Sequence, residues 1–109
     1  MTIEEVRALV RAQSTKSLTA SNDHGINLEQ ALVAPQRISV IARQVKDGRM
    51  NDDILNVWLV GQENPTDGYR IVMREDGSQF GLASSGFPND EYLVLAGWYG
   101  DLVSTFLSM

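Results

Sequence analysis

The chain carries few side chains able to do covalent or acid–base chemistry. His24 is its one histidine, and cysteine is absent. Disulfides, thiolate nucleophiles, thiolate metal sites and multi-histidine metal sites are thereby excluded. His24 can be combined with Ser84 or Ser85 and an acid into a Ser-His-Asp set only on paper, because such a set is defined by geometry. The nucleophile-elbow spacing G-x-S-x-G is missing, since residues 81–86 read Gly-Leu-Ala-Ser-Ser-Gly. Paired carboxylates stand at Asp52/Asp53, Glu75/Asp76 and Asp90/Glu91. Neighbours along a strand point to opposite faces, which makes them poor acid/base partners. The run Asn51-Asp52-Asp53 lacks the glycine and the distal glutamate of a calcium loop. The glycines at 77, 81 and 86 do not spell a phosphate cradle. No catalytic set, metal or cofactor is expected, and the balance leans away from an enzyme.

Two groups of residues are better suited to binding. The first is acidic: Asp47, Asp52, Asp53, Glu63, Asp67, Asp90 and Glu91 all fall in or beside expected turns. In a simple meander, the turns at 46–53 and 75–78 share one end of the sheet, and those at 61–68 and 84–91 share the other. The second end then holds Glu63, Asp67, Asp90 and Glu91 with no lysine or arginine. An acidic rim attracts a basic partner and speeds its association. The second group is aromatic: Trp98 and Tyr99 sit between Gly97 and Gly100, and residues of these types dominate binding hot spots. A separate candidate is the pair Arg70 and Arg74. They project from one face of their strand and are placed to clamp an anion.

The charge balance agrees with an acidic binder. The 109 residues carry a net charge of −5. A nucleic-acid partner would require the opposite, a basic footprint. The start of the chain, Met1-Thr2-Ile3-Glu4-Glu5, lacks the basic-then-apolar pattern of a secretory signal. The longest apolar block spans residues 92–100, well short of the about 20 residues that cross a membrane. A soluble, unprocessed, cytoplasmic protein is expected, forming one domain over residues 1–109.

The elements that position these residues follow from local signals. Thr2 and Glu5 have the spacing of a helix capping box. Ile3, Val6, Leu9 and Val10 continue at helical spacing to about Gln13. Asn27 and Gln30 frame a short second helix with Leu28, Ala31 and Leu32 on its apolar stripe, stopped by Pro35. Residues 37–45, 54–60, 69–74 and 79–83 read as strands, and residues 92–96 as a strand buried on both faces. Residues 46–49 form a turn, 64–68 another, and Asp76-Gly77 predicts a hairpin with a type I′ turn. Gly97 and Gly100 break the last strand, and residues 101–109 form a closing helix with Leu102, Val103, Phe106 and Leu107 on one face. A single helix from 90 to 109 is the rival, opposed by those two glycines at about 1 kcal/mol each.

The fold class is therefore α+β. It is an antiparallel meander of four or five strands, with the N-terminal helix, the short second helix and the C-terminal helix packed mainly on one face. The strands at 37–45 and 54–60 are apolar on both faces, so the second face is either covered or forms a partner surface, including one for a homodimer. The function best matched is a protein-binding module, of the inhibitor or immunity type, that neutralises a basic protein such as a toxin or nuclease. The alternatives are a small-ligand (anion) binding protein or enzyme with a pocket between sheet and helices, and a structural or assembly subunit.

Overall fold

The computed structural model of the chain describes residues 1–64 and 68–109. Its elements are α1 (Ile3–Ser14), α2 (Leu28–Ala31), β1 (Leu32–Lys46), β2 (Arg49–Gln62), β3 (Arg70–Arg74), β4 (Phe80–Ser84), β5 (Leu93–Gly100) and α3 (Leu102–Leu107). Among the described residues the class is α+β, with three helices and a five-stranded sheet.

Helix starts follow their local chemistry. The Thr2 hydroxyl accepts from the Glu5 amide at 3.2 Å, and the Glu5 carboxylate accepts from the Thr2 amide at 2.9 Å. Asn27 and Gln30 close the same reciprocal box at the start of α2. Asp101 caps α3 by accepting from the Ser104 amide at 2.7 Å. Each such cap satisfies donors that the first turn cannot pair internally. α2 ends at Ala31, and β1 begins at once with Leu32 in extended conformation. Pro35 therefore lies inside the strand, within an irregularity between Leu32 and Gln36. A proline is tolerated at such a bulge because no ladder donor is required there.

The strands pair in sequence order, each antiparallel to the next. The expected open meander is corrected at one point. β1 also pairs with β5 in parallel, Val40 with Leu93 and Ile41 with Val94, and the sheet closes into a barrel. Closure explains the strands that are apolar on both faces. Val40, Val57, Val72 and Ala83, joined by Ile38, Leu55, Leu93, Leu95 and Trp98, form one core to which all five strands contribute. Alternate residues of a barrel strand point inward, so this core is the lumen. The opposite face of β2, β3 and β4 supplies Trp58, Val60, Ile71, Met73, Phe80 and Leu82 to a larger core under the helices. There they meet Val6 and Val10 of α1, Leu28 and Ala31 of α2, and Leu102 and Phe106 of α3. The helices cover part of the barrel's outside rather than one face of an open sheet.

Three local expectations change. β5 continues through Gly97, Trp98 and Tyr99 to Gly100, whose φ of +93° ends it. The β5 residues are half-buried, with Ala96 and Tyr99 exposed, rather than fully buried. The positive-φ pair of a type I′ turn occurs at Asp47 (+54°) and Gly48 (+72°), joining β1 to β2. At the β3–β4 connection only Gly77 has positive φ, its amide donates to the Arg74 carbonyl, and Asp76 accepts from the Ser78 amide. No helix of the described residues is long and apolar enough to cross a membrane.

Gly81 lines the lumen beneath Trp98. A Cβ there would lie 2.7 Å from Trp98 Cε3 and closer still to the Gly97 carbonyl. Gly81→Ala should lower stability by about 1–3 kcal/mol, the usual penalty of overpacking. Denaturant unfolding measures this, and an unchanged midpoint would show that Trp98 does not occupy the lumen.

Candidate functional site

The β1–β2 ladder runs well past the rest of the barrel. β3 ends at the pair Val57–Arg74, whereas β1 and β2 remain paired out to Lys46–Arg49. Residues 49–56 of β2 are thus paired along one edge, and the hairpin projects as an arm. Strand alternation gives the arm two faces. Lumen-facing Val40 and Leu55 set the inner face, which continues through Ala42–Asp53, Gln44–Asn51 and Lys46–Arg49. The outer face carries the cross-strand rows Ile41–Ile54, Arg43–Asp52 and Val45–Met50. Ile41, at its base, is buried, while the other apolar members are open to water: Val45 is 77%, Met50 55% and Ile54 54% exposed.

Arg43 is the centre of that face. Its Nε and Nη2 donate to the two Asp52 carboxylate oxygens, both at 2.8 Å. Nη2 and Nη1 donate to Asp90 at 2.8 and 3.1 Å. The guanidinium carbon lies 5.2 Å from the centre of the Phe87 ring, which is itself 57% exposed. Asp90 also accepts from the Phe87 amide at 2.7 Å. Gly86 leaves the space that the Asp90 carboxylate occupies. The Arg43 hydrogen bonds hold both Asp52 and Asp90 below the usual carboxylate range, and the two acids raise the Arg43 pKa.

Asp90 and Asp52 therefore meet, although a simple meander puts their turns at opposite ends. Closure is the reason: β5 starts beside Val40, midway along β1, so the loop before it lies against the arm. Glu63 stays apart from this group. It pairs with His24 Nδ1 and accepts from the Tyr69 amide at 3.0 Å, while the His24 and Tyr69 rings stack at 6.4 Å. Asp47 is exposed at the arm's tip, Asp53 on its inner face, and Glu91 beside Asp90. Asp67 lies outside the described residues, as does part of the expected turn at 64–68.

The inner face of the arm leads to the open end of the barrel. Trp98 reaches from β5 into the lumen core, and the Arg74 guanidinium lies over its ring at 4.3 Å. Tyr99 points away and is exposed. Arg74 Nε donates to Gln79 Oε1 at 3.1 Å. Two clefts, of about 370 and 420 Å³, share Leu55, Arg74 and Trp98 as walls. Arg70 occupies the lumen-side face of β3 too, but four residues away, which is about 13 Å along a strand. Its guanidinium donates to the Gly68 carbonyl. The two arginines are not brought together. The open space lies at the barrel end, whereas the interface of sheet and helices is packed core. Among the described residues, no group of three His, Asp or Glu side chains is gathered as for a metal ion.

Arg43, Val45, Met50 and Phe87 were not among the residues expected to act. A signal for the first three exists. A two-residue turn at Asp47-Gly48 fixes the register of the hairpin and puts Arg43 opposite Asp52 and Val45 opposite Met50.

Linkage gives the Arg43 cluster a testable sign. Both carboxylates are lowered in the folded state, so their stabilisation is complete above the unfolded-state value of about 3.9 and fades as pH falls through the folded values. Thermal melts of wild type and Arg43→Gln should differ at neutral pH and converge in acid. A gap that stays constant with pH would mean that Arg43 acts by packing alone. No family model matches the chain, and no curated protein or solved structure matches it.

Proposed function

We propose that the protein is a binding module that docks a basic protein on its projecting arm, the role of an inhibitor or immunity-type protein. One observation carries this: the arm's outer face and the loop beside it leave Val45, Met50, Ile54 and Phe87 exposed around an arginine engaged by two carboxylates. Exposed apolar patches of this kind mark partner surfaces. Methionine, aromatic residues and arginine are the types enriched at interface centres. Arg43, already neutralised and fixed by two carboxylates, is desolvated by a partner at lower cost than a free cation.

Charge supports the choice of partner. The net charge of −5 favours a basic protein over an acidic one. Asp52, Asp90 and Glu63 are bound internally, which leaves Asp47, Asp53 and Glu91 as the acids best placed to steer. The second apolar face of the sheet, the surface the sequence offers to a second copy, lines the lumen. The arm takes its place as the contact surface.

The test is capture from a lysate of the source organism with tagged wild type and two variants, at low and high salt. One stoichiometric basic protein is expected with wild type. Val45→Asp with Met50→Asp should weaken its binding at least about tenfold, since each removes an apolar contact of hot-spot size. Asp53→Asn with Glu91→Gln should mainly slow association. Salt should do the same, because exposed charges are screened beyond about 8 Å at physiological ionic strength. Capture unaffected by the arm variant moves the contact elsewhere, and no partner at either salt overturns the proposal.

A further inference from the structure

We propose that the open end of the barrel binds a small organic carboxylate, gripped by Arg74 and seated on Trp98. The site borders the docking face, since Ile54 lines one cleft and Arg43 the other, but the walls common to both clefts are Leu55, Arg74 and Trp98, none of which belongs to the arm's outer rows. It stands on three observations that meet at one place.

The first is an arginine with donors to offer. Among the described residues Arg74 takes part in no ion pair. Its Nε is engaged by Gln79, and its guanidinium carbon lies 4.3 Å from the centre of the Trp98 ring. Nη1 and Nη2 together carry four N–H donors, and one from each nitrogen makes the parallel pair that a carboxylate accepts in bidentate fashion. The second is room. The two clefts that share Leu55, Arg74 and Trp98 are each in the size range of small-molecule sites, and mouths of barrels are a common place for them. Leu55, Leu95 and Trp98 supply apolar walls for the body of the ligand.

The third is the state of the neighbouring charges. Arg43 also lines one cleft, but Asp52 and Asp90 already claim it. Glu75 pairs with Arg37 at 2.7 Å, and Asp76 directs its carboxylate to the Ser78 amide, with the Arg74 charge acting on it only as a lesser influence. Of the two arginines that line the clefts, Arg74 is thus the one with donors on both Nη atoms to offer an incoming anion. Acids line both clefts, Glu75 and Asp76 in one and Asp53 in the other, and they oppose a dianion more strongly than a monoanion. A carboxylate on an apolar, flat body fits this balance, and inorganic phosphate does not.

Benzoate is the probe, followed by ¹H–¹⁵N NMR of the two indole N–H signals. Trp98 should shift saturably with benzoate. Trp58, buried under the helices, should not, and so serves as the internal reference. Benzyl alcohol, the neutral counterpart, should bind at least fivefold more weakly, and phosphate should bind more weakly than benzoate. Arg74→Gln should weaken benzoate about tenfold, and Arg74→Lys should fall between, because a lysine keeps the charge but loses the fork. No saturable Trp98 shift, equal binding of benzyl alcohol, or unchanged binding by Arg74→Gln would each overturn the site. Tighter binding of phosphate would overturn the ligand class. If Arg74→Gln does not fold, the ratio of benzoate to benzyl alcohol on wild type decides alone. None of these readouts involves the arm's outer face, so failure here and failure of partner docking are distinguishable.

Discussion

Two pairs of residues, Val40–Leu93 and Ile41–Val94, join the first strand to the last and turn a five-stranded sheet into a barrel. The driving constraint is that β1 and β2 carry apolar side chains on both faces. An open sheet with helices on one side would leave Ile38, Val40, Leu55 and Val57 in water. Fully burying such a side chain is favourable by about 1.5–3 kcal/mol, so a second apolar layer of this size must be covered. Closure covers it without a second layer of helices. The lumen is correspondingly narrow, and Gly81 admits the Trp98 ring only because it has no side chain of its own.

The same closure creates the geometry of the candidate sites. β3, β4 and β5 are short, whereas β1 and β2 are long, so the excess length projects as the arm. The parallel seam starts β5 beside the middle of β1 and brings the loop before it onto the arm. There Arg43 ties the two together through Asp52 on its own hairpin and Asp90 on the loop. A loop held by one arginine and its own internal turn is ordered with few buried apolar contacts, which leaves Phe87 displayed rather than packed.

Alternation along β2 then divides the arm into two surfaces with different chemistry. Met50, Asp52 and Ile54 look outward with Val45 and Arg43. Asp53 and Leu55 look inward, toward the cleft that holds Arg74 and Trp98. An outer face with exposed aliphatic side chains suits a macromolecular partner, while a recess with an arginine outside the ion pairs suits a small anion. Both arise from one pair of strands because the side-chain period of a strand is two.

The sequence by itself determined what depends on neighbours a few residues apart. The capping boxes at Thr2/Glu5 and Asn27/Gln30, the helical stripe of Val6 and Val10, and the alternation of Ile71 and Met73 against Arg70, Val72 and Arg74 are all legible, because helix and strand periods are local. The two-sided apolar character of β1 and β2 also announced that a second face needed covering. What covers it was decided only in three dimensions. The seam joins residues about fifty positions apart, and nothing within a few residues of Val40 or Leu93 encodes their parallel register. That register follows from the summed twist and stagger of five strands. The candidate sites inherit this. Arg43 opposite Asp52 is readable from the turn at Asp47-Gly48, but Asp90 joining them is not, nor is Arg74 lying on Trp98, because each contact exists only once the barrel has closed.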